Sequence, residues 1–164
     1  ATPADHPTKS TAMPDTTPTM FILRGLPGAG KSRLALLLAR DNNAAICSAD
    51  AYFTADDGTY RFDPKGLAKA HAACYWTATT AAKAGQNVII DNTNCCRWEM
   101  ENYIQLAAAN GFTVSVISIF DGGLTDEALA ARNSHGVPVF AIAAMRARFE
   151  HDWATGNPVA PWYR

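Results

Sequence analysis

Gly25, Gly28 and Gly30, followed directly by Lys31 and Ser32, are residue types that together can hold a phosphate. Glycines let a backbone turn tightly enough for successive N–H groups to point inward at an anion. Lys31 supplies a mobile positive charge for β- and γ-phosphates, and Ser32 a hydroxyl that can ligate Mg²⁺. Leu26, Pro27 and Ala29 complete the loop, and Arg33 follows on the next turn of chain. All the residues from Gly25 to Arg33 are candidate nucleotide contacts. Context gives the pattern Gly-x-x-x-x-Gly-Lys-Ser its meaning: an apolar strand at 20–23 precedes it and a helical run at 33–40 follows. A helix opening there adds unpaired N–H groups and the positive end of its dipole. Strand, loop and helix together predict a bound nucleoside triphosphate.

Phosphoryl transfer asks for three further things: a metal partner, a base for the attacking group, and a cation for the charge in flight. Asp91 ends the apolar run Val88-Ile-Ile and is the candidate to hold Mg²⁺ with Ser32, either directly or through water. Asp50 follows another short apolar run and is the candidate general base. Arg132 closes a helical stretch just before a break containing Gly136 and Pro138, where a mobile lid would hinge, and is the candidate cation. Arg146 and Arg148 are substitutes for it, although such arginines more often form a solvated face. His71 and His135 read as bystanders.

The elements that must position these residues alternate. Apolar strands fall at 20–23, 44–48, 88–91 and 112–120, and helical stretches at 33–40, 64–83, 97–110, 125–132 and from 138 to about 151. Residues 51–63 read as a loop with an Asp57-Gly58 turn, and 152–164 as an irregular arm. The 64–83 helix puts Leu67, Ala70, Cys74, Ala78 and Ala81 on one apolar side. This alternation predicts an α/β fold: a single doubly wound domain with a central parallel sheet of four or five strands and a helical lid. Ligands bind such sheets at the carboxyl ends of the strands, the rim that Asp50, Asp91 and the Gly25–Ser32 loop would share.

The chain has 164 residues, 48% of them apolar, and a net charge of −1. One domain, 19–164, is expected, preceded by a disordered leader at 1–18. Residues 1–19 hold four prolines and six threonines and lack the apolar centre of a signal peptide. No apolar run approaches the ~20 residues that span a bilayer, so no membrane is involved. The near-neutral charge argues against long non-specific contacts with nucleic acid, but leaves room for one nucleotide or a strand end. The four cysteines have no zinc spacing, and reduced thiols in a cytoplasmic protein are the expectation. No protein partner is evident.

Four motifs, Arg24-Gly-Leu-Pro-Gly-Ala-Gly-Lys-Ser32, Ser48-Ala-Asp50-Ala-Tyr-Phe53, Ile89-Ile-Asp-Asn-Thr-Asn94 and Arg132-Asn-Ser-His-Gly-Val-Pro138, occur in this order. Together they resemble the P-loop kinases of the polynucleotide 5′-kinase type, the group of the bacteriophage polynucleotide kinase and related 5′-hydroxyl kinase domains. The resemblance covers about 19–150. It implies ATP and Mg²⁺ as cofactors, Lys31 and Ser32 on phosphate and metal, and Asp50 as the base for an acceptor hydroxyl. It also implies Arg132 on the lid, and Asn92, Thr93 and Asn94 near a nucleic-acid acceptor, DNA more than RNA. Two departures stand out. Phe53 occupies the place of an arginine that faces the acceptor phosphate in the phage enzyme, and a second lid arginine is replaced around His135-Gly136. A different hydroxyl is therefore an alternative.

One such alternative resembles the viral kinases that phosphorylate the hydroxymethyl group of 5-hydroxymethyluracil in DNA, which would set the protein in a host cytoplasm. There Tyr52 and Phe53 would stack on an exposed base, unless both simply pack beneath their loop. Another is a small-metabolite kinase of the gluconate, antibiotic or nucleotide-sugar type. A GTPase switch would carry Asn-Lys-x-Asp, and an ABC protein Ser-Gly-Gly; neither occurs.

Overall fold

A computed structural model describes residues 16–164. The expected leader therefore lies outside the described residues, apart from its last three. Of these, Pro18 already offers its carbonyl to Thr113 N–H at 2.9 Å. Four parallel strands form one sheet: β1 (Thr19–Arg24), β2 (Ala45–Cys47), β3 (Val88–Asp91) and β4 (Thr113–Ser118), in the order β2-β3-β1-β4. Helices α1 (Lys31–Asn42), α2 (Leu67–Lys83) and α3 (Arg97–Ala109) connect them, and α4 (Asp126–Arg132) and α5 (Val139–Arg148) follow the last strand. This is the doubly wound α/β domain that the alternating pattern predicts.

The period of two in β1 explains how both faces are covered. Met20 and Ile22 point to one side, packing with Val88 and Ile90 against Cys74 and Ala78 of α2 and Met100 and Tyr103 of α3. Leu23 points to the other, where it meets Ala35 of α1 together with Ile89. β3 is buried at every position, as expected of a strand sandwiched between two helical layers. All four cysteines are buried free thiols. Among the described residues, no helix is long and apolar enough to cross a membrane.

Three sequence expectations shift. Leu67 should join the apolar stripe of α2, yet it is 42% exposed while Ala70, Cys74, Ala78 and Ala81 are buried. That end of α2 faces a short turn through Ala49 and Phe53, which pack on Ala70, and the sheet lies further along. The expected loop 51–63 is partly ordered: Ala49–Phe53 is a 3₁₀ turn capped by Ser48, and Thr54 bridges Tyr60 to make a small hairpin. The last helix stops at Arg148 instead of near His151. There the Arg148 carbonyl accepts from Cys96 Sγ, and Phe149 turns extended so that its ring lies 4.3 Å from the Arg24 guanidinium.

The α4–α5 pair stands where the helical lid was expected. Leu129 and Ile142 pack on Leu26 of the glycine-rich loop. Arg146 fastens the pair to the preceding loop through Asp121 at 2.6 Å, Asp126 at 2.7 Å and the Leu124 carbonyl at 3.0 Å. These bonds occupy Arg146 and raise its pKa, so it is not free to act as a substitute for Arg132.

Candidate active site

The loop 25–30 leaves β1 and enters α1 through two left-handed glycines, Gly28 at φ 80° and Gly30 at φ 107°. Gly30 is the N-cap of α1 and no side chain caps it, so the first-turn N–H groups keep their full polarity toward an incoming anion. Gly25 N–H donates to the Thr93 carbonyl at 3.0 Å, tying the loop to the segment after β3. A Cβ on Gly28 would run into the Leu129 backbone carbonyl, so α4 rests directly on the phosphate loop. We expect Gly28→Ala to cost about 1–3 kcal/mol from the positive φ alone. The collision should also push α4 away, with a lowered melting temperature by calorimetry and at least a tenfold weaker nucleotide titration.

Lys31 Nζ donates to the Leu26 carbonyl at 3.1 Å, curling back over its own loop. Burial lowers its pKa, opposed by the nearby Asp91, Cys95 and Asp50. Ser32 Oγ donates to Asp91 Oδ2 at 3.0 Å. Asp91 is 8% exposed at the end of β3, and burial raises its pKa against the pull of Ser32 and Lys31. A hydroxyl and a buried carboxylate beside an ammonium are a donor set that fits Mg²⁺ and phosphate oxygens. Arg33 is exposed on the first turn of α1.

Asp50 sits on the 3₁₀ turn, its N–H accepted by Ser48 Oγ at 3.2 Å. Its carboxylate is held by two residues that sequence reasoning missed. The hairpin returns Tyr60, whose hydroxyl donates to Asp50 Oδ1 at 3.0 Å. The α4–α5 connection brings His135 Nδ1 to 3.1 Å from Asp50 Oδ2. Tyr60 and His135 stack at 4.3 Å between ring centroids. Burial and the adjacent carboxylate push the Tyr60 pKa upward, so the phenol stays a donor. Nothing local marked Tyr60; His135 had the signal of lying within the fourth motif. His71 is exposed on α2, and Arg148 is exposed at the end of α5.

The other candidates divide. Asn92 Oδ1 accepts from Ala49 N–H at 2.9 Å, which ties the turn of Asp50 to the end of β3. Asn94 is 3% exposed with φ 45°, and its amide donates to the Leu23 carbonyl at 2.7 Å. Both side chains are thus engaged in the framework, and Thr93 contributes its carbonyl to the loop. Phe53 is 8% exposed beneath Tyr52, Tyr60 and Phe62, whose rings lie 5.1–6.3 Å from its own, which leaves it no free face for a base. Tyr52 is exposed. Arg132 is exposed at the end of α4 and, among the described residues, its guanidinium makes no hydrogen bond or ion pair. Arg24 was quoted only as part of a motif. It is fully buried and donates to the carbonyls of Asn94 at 3.0 Å and Cys95 at 2.8 Å.

A doubly wound sheet with this loop at the end of β1, Ser32 on Asp91 and a second carboxylate on the same rim defines a P-loop kinase domain. The chain belongs to the family described as AAA domain, whose model matches residues 20–151. It is 38% identical over 141 residues to human NEDD4-binding protein 2, covering 80% of this chain and 8% of that protein. The chain thus spans a small part of that relative's length. Among solved structures, the Pnkp1/Rnl/Hen1 RNA repair complex is similar at a TM-score of 0.64 and 22% identity, over 81% of this chain and 44% of the other. A Chloroflexus aurantiacus protein provisionally assigned as a kinase is similar at a TM-score of 0.56 and 26% identity, over 80% and 70%.

Proposed function

We propose that the protein transfers the γ-phosphate of ATP to a hydroxyl of a nucleic acid, in the manner of polynucleotide 5′-hydroxyl kinases. The observation that carries this reading is Asp50: a carboxylate on the rim beside the phosphate loop, oriented by Tyr60 and His135, with 47% of its side chain still open to solvent. The four-motif resemblance supports a nucleic acid as the acceptor.

In this reading the loop N–H groups and Lys31 hold the β- and γ-phosphates. Ser32 and Asp91 would hold Mg²⁺, which when bound neutralises phosphate charge. Asp50 takes the proton of the acceptor hydroxyl as its oxygen bonds to the γ-phosphorus. The bond from that phosphorus to the bridging oxygen breaks, and ADP leaves with the electron pair. Arg132 meets the charge on the transferred group.

The test is a transfer assay with γ-labelled ATP and three acceptors: a 5′-hydroxyl oligonucleotide (as DNA and as RNA), DNA containing 5-hydroxymethyluracil, and a metabolite pool. Label on the 5′-hydroxyl strand is the expected result. Label confined to the modified DNA would move the reading to base-modification kinases, and label confined to the pool to metabolite kinases. Slow ATP hydrolysis with label on none would end the kinase reading.

A further inference from the structure

Beside the turn that carries Asp50 lies a cleft of about 530 Å³, lined among others by Tyr52, Phe53, Arg61, Lys65 and Lys69. Its position follows from the hairpin. Arg61 N–H donates to the Phe53 carbonyl at 2.9 Å, which lays Arg61 alongside the turn. Lys65 and Lys69 come from the start of α2 and the short turn before it. Gly66 keeps that wall close: a Cβ there would meet Phe53 at 3.1 Å and Tyr52 at 3.3 Å.

The charge of this cleft is unusual for the chain. The protein carries a net charge of −1, yet three cations converge here against one carboxylate, Asp63. Asp63 is occupied, since its Oδ1 accepts from Lys65 N–H at 3.0 Å. Among the described residues none of the three cations is in an ion pair, and all are exposed. Lys65 and Lys69 also stand at the N-terminal end of a helix, where the dipole disfavours positive charge. Helix stability therefore does not account for their placement.

We propose that this cleft is the acceptor-strand site. Arg61, Lys65 and Lys69 meet the phosphodiesters of the nucleotides next to the reacting one, and the exposed ring of Tyr52 stacks on a base. The charge missing at Phe53 is thereby supplied from across the cleft, by the hairpin and by α2. This rests on the reading that Asp50 serves a nucleic-acid hydroxyl.

The test uses the full chain and a fluorescent single-stranded 12-nucleotide DNA with a 5′-hydroxyl, with binding followed by anisotropy across a salt series so that no turnover is needed. In the triple variant R61Q/K65Q/K69Q, affinity at low salt should fall ten- to a hundredfold. The log–log salt slope should shrink by about 2, from three contacts at roughly 0.7 each. Tyr52→Ala should weaken binding about tenfold without changing the slope. Melting temperature and nucleotide titration check that each variant is folded. A triple variant with wild-type affinity and slope would overturn the acceptor-strand site and leave the kinase reading standing if the wild type still labels strands. Failure of the wild type to bind or label any strand, with label on small alcohols instead, would overturn both.

Discussion

Asp50→Asn should lower the rate of phosphoryl transfer by about 10²–10⁴-fold, the range for loss of a general base, while nucleotide affinity stays within about twofold. The two readouts separate because the contacts of Asp50 and those of the phosphate loop are different. Tyr60 and His135 hold the carboxylate, and Thr54 Oγ donates to the Asp50 carbonyl. Lys31 and Ser32 lean instead on Leu26 and Asp91. Asparagine keeps an oxygen for the Tyr60 hydroxyl, so the turn stays in place and only the proton acceptor is lost. Steady-state transfer to a 5′-hydroxyl strand, set beside a fluorescent-nucleotide titration, gives both numbers. A parallel fall in nucleotide affinity would reassign Asp50 to the metal or to the framework.

Arg24→Met should be the most damaging single change to stability. Arg24 lies at the end of β1 with none of its side chain exposed, and it is desolvated enough that its pKa is lowered. Its donors satisfy the carbonyls of Asn94 and Cys95, its third bond reaches Ser118 Oγ at 3.4 Å, and its face covers Phe149. Methionine fills much of the volume but orphans the buried Asn94 carbonyl, leaves the Cys95 carbonyl only the Glu150 N–H, and gives up the bonds of a charged donor, at about 1–3 kcal/mol for each bond lost. A net loss of about 3 kcal/mol corresponds to a melting temperature roughly 6–12 °C lower for a chain of this size. Lysine should not restore it, because a single ammonium cannot reproduce the fork that spans two carbonyls and the ring. Thermal melts of the three proteins decide this, and a fall of less than 2 °C would remove Arg24 from the framework.

What could be read in the sequence was what local pattern encodes. The glycines before Lys31, the apolar run ending in Asp91 and the Thr125 cap of α4 each carry their structural reason within a few residues. The Thr125 side chain indeed accepts from Ala128 N–H at 3.2 Å. Convergence was not legible. Tyr60 reaches Asp50 because a hairpin folds back, and His135 because a connection about eighty residues beyond the 3₁₀ turn passes over it. The burial of Arg24 was hidden for a related reason. Nothing local distinguishes it from a solvated charge at a strand end, and its burial becomes possible only once the segment after β3 turns two carbonyls toward it. Asn92 and Asn94 show the converse: polar residues on the functional rim whose side chains hold the rim itself together.

The placement of His135 has a consequence for how the two substrates are bound. Arg132 and His135 are three residues apart on one short connection, with Arg132 at the end of a helix pressed on the donor loop and His135 at the acceptor base. If Asp50 takes the acceptor proton and Arg132 meets the transferred phosphate, as proposed, a hydroxyl arriving at Asp50 shares or displaces the imidazole while ATP draws on Arg132. Two ligands pulling on opposite ends of so short a tether would then not bind independently. Whatever factor ATP imposed on acceptor affinity, the acceptor would impose on ATP, and donor and acceptor would be a thermodynamically coupled pair within one small domain.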